Sequence, residues 1–374
     1  MKMSKYFSRS YKAGDERAIN RLYYEVTGTR RSLEQFRWQW QNAPGGHGEI
    51  WLIEEKKTDG SIRLIGHHGV MPIRFTCGDK NLVAGKTENT MVHQEYRRKI
   101  LYPMYEQQFL KQYSNKFDLL FSTMGPDSAL RQRKALGYKA EQRWLNYAWA
   151  LNHGALASLL AFRLIHNKKK TRCVRASNCA QLFGNILSYL KGPSWESKKT
   201  MPLTILSCDE ASRHKFFKEF WSNARKDFPL TPRRDQIDLK WRFWENPYAI
   251  YYSLICENHH HGDAYGIVRD CGNQVYMLED IICFPPTSAF FLKMLNSICE
   301  WAESHGANAM LFSTASDEND LRIALESFRK TNLLTTFPLK KIKHREQPML
   351  RKVISDAYSD IKWFITPIVL EGRS

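Results

Sequence analysis

Apolar residues recur along the first 150 positions in blocks whose period changes. In "DERAINRLYYEV" the residues Ala18, Ile19, Leu22, Tyr23 and Val26 fall three or four apart, the spacing of one helical face, so residues 15–26 are predicted helical. Ser32 stands where an N-cap is needed, and Leu33, Phe36 and Trp40 follow at helical spacing before Pro44 ends the segment. The period then shortens. Residues 5–11, 50–54, 63–75 and 82–92 read as strands, with "CGDKN" as a tight turn between the last two. A helix is expected over 99–113, a strand over 117–123, a helix over 127–136 stopped by Gly137, and a last strand running to Leu151. The order β-α-α-β-β-β-α-β-α-β describes a mixed sheet with helices on its faces, of the α/β class.

The pattern then occurs a second time. "FRWQWQNAP" from Phe36 matches "LKWRFWENP" from Leu239, with Trp38 over Trp241 and a proline six residues later in each. "LLFSTMGPDSALRQ" from Leu119 matches "MLFSTASDENDLRI" from Met310, and Trp144 aligns with Trp363. Three matches in the same order point to a duplicated domain. The expected division is an N-terminal copy over 1–150, a basic helical linker over 151–202 and a C-terminal copy over 203–374.

Charge adds a direction. The 374 residues carry a formal net charge of +18. Residues 1–150 hold 25 basic and 15 acidic side chains, 151–202 hold nine and one, and 203–374 hold 22 of each. An anionic partner is therefore expected at the first copy or the linker. Eight cysteines without a C-x-x-C pair suit reduced thiols, and no metal is expected. His259, His260 and His261 read as the tip of a hairpin, not as a converging ligand set. No apolar run reaches the roughly 18 residues of a membrane span, and a cytoplasmic location is expected. The linker stretch "GALASLLAFRLIHNKKKTR" pairs a short apolar helix with a basic end. It fits packing between domains, or peripheral membrane contact through residues 155–192.

The strand, base-rich turn and helix in "TENTMVHQEYRRKILYPMYEQQF", followed by "FDLLFSTMGPDSALRQRKALGYK", resemble the GNAT (N-acetyltransferase) superfamily, and in particular tandem two-domain acyltransferases. The resemblance implies two tandem GNAT-like domains, with acyl-CoA, such as acetyl-CoA, inserted where the fourth strand splays from its neighbour. Carried over by position, the backbone of Met91, Val92 and His93 would bond the pantetheine arm, and Arg97, Arg98, Lys99, Ile100, Leu101 and Tyr102 would cradle the diphosphate. The family places glycines in that turn, and here three adjacent bases stand instead. The matching turn of the second copy, "DIICFPPTSAFFLKML", has two prolines and no glycine, so no cofactor is expected there.

Acyl transfer to an amine needs a base and an acid. Glu88 lies four positions before Val92, is expected on the same face of the strand, and is the first candidate for the base. His93 and Tyr96 beside the turn are further candidates, with Tyr138 and Tyr147 as alternative acids. Ser122 and Thr123 recur as Ser313 and Thr314, which favours a structural role in both copies. The function expected is acyl transfer from acyl-CoA to an amine or hydroxyl of a small-molecule or saccharide acceptor. Two alternatives stand beside it: a catalytically silent scaffold, and a Fem-type transferase drawing on aminoacyl-tRNA. Nucleic-acid binding without catalysis is not expected, because no reading module is recognisable.

Overall fold

The computed structural model describes residues 5–98, 102–123, 131, 133–152, 154–166, 200–258, 262–316, 320–331, 348–353 and 362–369. In chain order these form β1 (Tyr6–Ser10), α1 (Glu16–Thr27), α2 (Leu33–Trp40), β2 (Glu49–Lys56), β3 (Ile62–Cys77), β4 (Lys80–Val92), α3 (Tyr102–Tyr113), β5 (Leu119–Ser122), β6 (Lys139–Arg143), β7 (Leu145–Ala150) and α4 (Ala155–His166). There follow β8 (Thr204–Leu206), α5 (Cys208–Arg213), α6 (Lys215–Ala224), β9 (Thr231–Pro232), α7 (Gln236–Leu239), β10 (Tyr251–Asn258), β11 (Gly262–Asp270), β12 (Val275–Phe284), α8 (Ser288–Ser304), β13 (Ala309–Thr314), α9 (Asp320–Thr331) and β14 (Pro348–Val353). Local signals act as expected. Ser32 and Gln35 close a reciprocal capping box at α2, and Gly78 takes φ 58 at the two-residue turn joining β3 to β4.

The chain forms two compact units, neither of them one continuous stretch. The first comprises 1–143, 228–247 and 347–362, and the second 144–227, 248–346 and 363–374. The first sheet runs β1-β2-β3-β4-β5-β14-β6, with β9 also on β3; the second runs β7-β13-β12-β11-β10-β8. Each contains an antiparallel meander, one parallel contact (β4 with β5, β12 with β13) and then an antiparallel strand. That last strand departs from expectation. The predicted strand to Leu151 divides at Trp144: β6 stays in the first sheet, whereas β7 pairs with β13 of the second. In return β14, from the second copy, pairs with β5. The contiguous division at 150 and 203 therefore differs from the compact units, because corresponding strands of two similar sheets have exchanged places.

The repeated tryptophans meet within the first unit. Trp38 and Trp241 stack with ring centroids 5.4 Å apart, and each indole N–H donates to the other's backbone carbonyl, at 2.7 and 2.9 Å. Both rings are buried, so satisfying both N–H groups removes a desolvation penalty of about 1–3 kcal/mol for each. The hydrophobic match was thus also a pairing. In the second unit α4 lays Ala155, Leu159 and Phe162 against Val275 and Ala309 of the sheet. The described start of the linker packs as a core helix. No described helix is long and apolar enough to cross a membrane. The linker residues 167–199 and the histidine run 259–261 lie outside the described residues.

Candidate active site

Strand β4 pairs with β5 at three rungs, Ala84–Leu119, Gly85–Leu120 and Lys86–Phe121, and the ladder ends there although β4 continues to Val92. Along its other edge β4 stays on β3, but the register shifts: Glu88 opposes Gly69 and Met91 opposes His67, so Asn89 and Thr90 stand against His68 alone. This is a β-bulge. Asn89 takes φ 48 there, a left-handed conformation that asparagine tolerates better than most residues. The bulge also alters the faces. Val92 joins Ile53, Ile65, Tyr96 and Tyr105 on the α3 side, whereas Glu88 pairs with Lys86 on the opposite side. The expected shared face of Glu88 and Val92 is corrected by the one inserted residue, since each residue added to a strand reverses the alternation.

On the face away from α3, Lys86 is 2% exposed and its ammonium pairs with the Glu88 carboxylate, which also accepts the Asn89 N–H at 3.2 Å. His67 lies there too, packed edge-on to Trp40, with Nδ1 2.8 Å from the Asn89 carbonyl oxygen. Burial pushes the His67 imidazole down to about 3, so it is neutral and Nδ1 is the donor to that carbonyl.

A second polar group occupies the α3 face. The Thr90 hydroxyl lies 3.2 Å from His68 Nδ1 and accepts from the Arg133 guanidinium at 3.0 Å. Arg133 Nε is 3.5 Å from the Glu106 carboxylate of α3, and Tyr138 packs in the adjoining core. All four charged or aromatic partners are buried. Burial raises the Glu106 carboxyl although Arg133 opposes the shift; burial and then Glu106 raise the Tyr138 phenol. His68 is held well below its ordinary value by burial, then by Arg133 and His67. Lys86, His67, His68, Glu106 and Arg133 were not singled out in the sequence as functional residues. Their signal was available: charged or imidazole side chains at inward positions of otherwise apolar elements.

The two buried histidines predict a pH response. Unfolded, both would titrate near 6.5, while the folded chain takes up those protons only at much lower pH. Stability should therefore fall as pH drops from about 6.5 toward about 3, His67 alone contributing about 2 kcal/mol between pH 7 and pH 5 and His68 acting in the same direction. Urea unfolding at the two pH values checks this, and His68→Phe should reduce the difference.

At the turn, His93 Nδ1 accepts the Glu95 N–H at 3.4 Å, and Nε2 lies 3.4 Å from Arg63 and 3.8 Å from Glu25. The His93 amide donates to Ile65 O at 2.8 Å and so faces β3, while the Val92 carbonyl accepts from Arg97 Nε at 3.1 Å. Of the three backbone positions assigned to a pantetheine arm, His93 has thus committed its N–H elsewhere. Tyr96 donates to the Glu55 carboxylate at 2.6 Å, and that bond, followed by burial, raises its phenol; Lys5 holds the same carboxylate. Arg97 and Arg98 are exposed. Lys99, Ile100 and Leu101 lie outside the described residues, and Tyr102 opens α3.

Three solved structures share the overall fold of this chain. A protein of Enterococcus faecalis described as a probable N-acyltransferase superposes with TM-score 0.58 at 10% identity, over 94% of this chain and 73% of that one. A GCN5-related N-acetyltransferase of Anabaena variabilis gives 0.55 at 8% identity, over 94% and 73%. The N-myristoyltransferase of Saccharomyces cerevisiae with bound myristoyl-CoA gives 0.52 at 12% identity, over 93% and 82%. The chain has the GNAT fold. No protein-family model matches the sequence, and no curated protein matches it.

The second GNAT-like sheet closes its own splay. β12 pairs with β13 only from Val275 to Leu278, and residues 363–369 are buried beyond that point. There Ile365 accepts from the Ala315 N–H at 3.0 Å and from the Thr314 hydroxyl at 2.9 Å, and its own N–H donates to Ser316 Oγ at 3.0 Å. Thr366 donates to buried Asp280, which also accepts from the Tyr265 hydroxyl at 2.7 Å. At the start of α8 the Ser288 amide donates to the Asp320 carboxylate at 2.8 Å, so a side-chain anion already stands at that helix start. Ser313 donates to Asn146 of β7, which with Thr314 gives the repeated Ser-Thr pair a structural task in this unit. Tyr147 sits buried in β7 within the second sheet. Among the described residues no three His, Cys, Asp or Glu side chains converge as a metal site.

Proposed function

We propose that this protein transfers an acyl group from acyl-CoA to an amine or hydroxyl, and that the reaction occupies the gap where β4 leaves β5. The observation that carries the reading is the ladder ending at Lys86–Phe121 while β4 continues through a bulge toward α3. In this reading the thioester lies at the ladder's end and the pantetheine arm runs along Met91 and Val92. The diphosphate meets the basic segment from Arg97 to Tyr102. An acceptor approaches on the face of Glu88, whose carboxylate takes a proton from its ammonium or hydroxyl. The acceptor atom then bonds the thioester carbon, the C–S bond breaks, and the CoA thiolate leaves to be protonated.

The substrates of the structural neighbours, an N-acetyltransferase on one side and a myristoyl-CoA-bound transferase on the other, bracket the donor class without choosing a chain. Titration calorimetry with acetyl-CoA tests the reading. One site per chain with micromolar affinity is expected, because the second sheet's splay is filled by its own residues. No heat with either acetyl-CoA or CoA would remove the reading and favour a silent scaffold.

A further inference from the structure

We propose that His67 is a positioning residue for the reaction: by donating to the Asn89 carbonyl it holds the β4 bulge in the shape that orients the Glu88 carboxylate. The inference rests on the acyl-CoA reading above, in which Glu88 is the base, and adds a residue that acts through the bulge without touching substrate.

Three observations lead to it. First, both oxygens of Glu88 are held: Oε2 by the Lys86 ammonium, and Oε1 by the Asn89 N–H at 3.2 Å. The base is thus oriented by the backbone of the next residue as well as by its counterion. Second, Asn89 takes φ 48 in the bulge, outside the ladder register with β3 and with β5. His67 reaches it from across the bulge, with Nδ1 2.8 Å from the Asn89 carbonyl oxygen. The left-handed region is a narrow well, so once the carbonyl is held, the N–H on the other side of the same Cα has little freedom to swing away from Glu88.

Third, the imidazole is itself fixed and makes this one bond. His67 is fully buried and packs edge-on to Trp40 with centroids 5.5 Å apart, and Trp40 is confined by Gly48 and Gly69, where a Cβ would stand 2.5 and 2.2 Å from the indole. Nε2 has no hydrogen-bond partner among the described residues, so the Nδ1 donor is the ring's polar contact there. Burying an imidazole with half its polar capacity unmet costs more than burying a phenyl ring in the same place. What the imidazole adds is a rigidly aimed donor, the task of a group that supports a reacting residue.

The test compares His67→Phe with His67→Asn in the full chain. Phenylalanine keeps a ring against Trp40 and has no donor; asparagine carries an amide nitrogen as many bonds from Cα as Nδ1. His67→Gln places that nitrogen one bond farther out, should behave as His67→Phe does, and replaces it if that variant fails to fold. Rate is read as thiol release from acetyl-CoA with a panel of primary amines, affinity by calorimetry with acetyl-CoA, and the Asn89 N–H by hydrogen exchange, which needs no acceptor. His67→Phe is expected to lower kcat by about 10–100-fold, the scale of a small misplacement of a reacting group, and to speed exchange at Asn89 by at least about tenfold. Its acetyl-CoA dissociation constant should change by less than about threefold, because Met91 and Val92 stay paired with the backbone of His67 and Gly66. His67→Asn should recover rate and exchange to within about threefold of wild type. A folded His67→Phe with wild-type rate or, where no amine in the panel reacts, with wild-type exchange at Asn89 overturns the proposal, and so does His67→Asn no better than His67→Phe. Those results leave acyl-CoA binding intact, whereas no heat from wild type with either acetyl-CoA or CoA removes the acyl-CoA reading and this inference with it.

Discussion

Glu88→Gln is expected to lower kcat by about 10²–10⁴-fold, the range for loss of a positioned general base, with the acetyl-CoA dissociation constant changed by less than about threefold. Glutamine keeps the size of the side chain and can still accept the Asn89 N–H, so the bulge can retain its shape. It cannot take a proton. The substitution also leaves the buried Lys86 ammonium without its counterion, and stranding a buried charge costs about 3–5 kcal/mol. Lost activity could then be confused with lost fold. Lys86→Met/Glu88→Gln removes both charges and separates the effects: thermal stability should return toward wild type while thiol release from acetyl-CoA with a panel of primary amines stays low. Activity of Glu88→Gln within about threefold of wild type would exclude Glu88 as the base.

Gly69→Ala is expected to destabilise the first unit by about 3 kcal/mol, near the upper end for overpacking a core. The added methyl would stand 2.2 Å from Trp40 Cη2, 2.7 Å from Cζ3 and 3.1 Å from His67 Cε1. The indole has little room to retreat, since a Cβ built on Gly48 would already be 2.5 Å from its Cε3. Trp40 is thus held between two glycines, and the rarity of side chains there serves the ring, not the backbone dihedrals. Trp40→Phe removes the crowded atoms. Chemical unfolding of the single and double variants should show Gly69→Ala/Trp40→Phe less destabilised than the sum of the two singles; strict additivity would show that the methyl and the ring do not meet.

Much of the fold was legible from neighbouring residues. The helical spacing around Ile19 and Leu22, the Ser32 cap and the alternating strands up to β5 are all encoded within a few positions, and each appears with bounds shifted by a few residues. The duplication was legible as well, because Trp38 and Trp241 occupy matching places in matching patterns. The candidate site was less so. Glu88 and the turn could be marked from the strand and the bases, but their relation to Lys86, His67 and Arg133 depends on which residues face each other across strands and helices.

Sequence alone determined the elements, their order, the repeat and the uneven charge, since these follow from periodicities of two to four residues and from composition. Tertiary structure decided three further matters. It sent β7 to β13 and β14 to β5, a choice local pattern cannot express because either sheet offers a similar edge. It inserted a bulge at Asn89 and Thr90, which put Glu88 and Val92 on opposite faces despite their even spacing. It also buried two ionic clusters on the two sides of the ladder's end, and burial, by removing water, makes Lys86–Glu88 and Glu106–Arg133 matter where their sequence reads as ordinary polar positions.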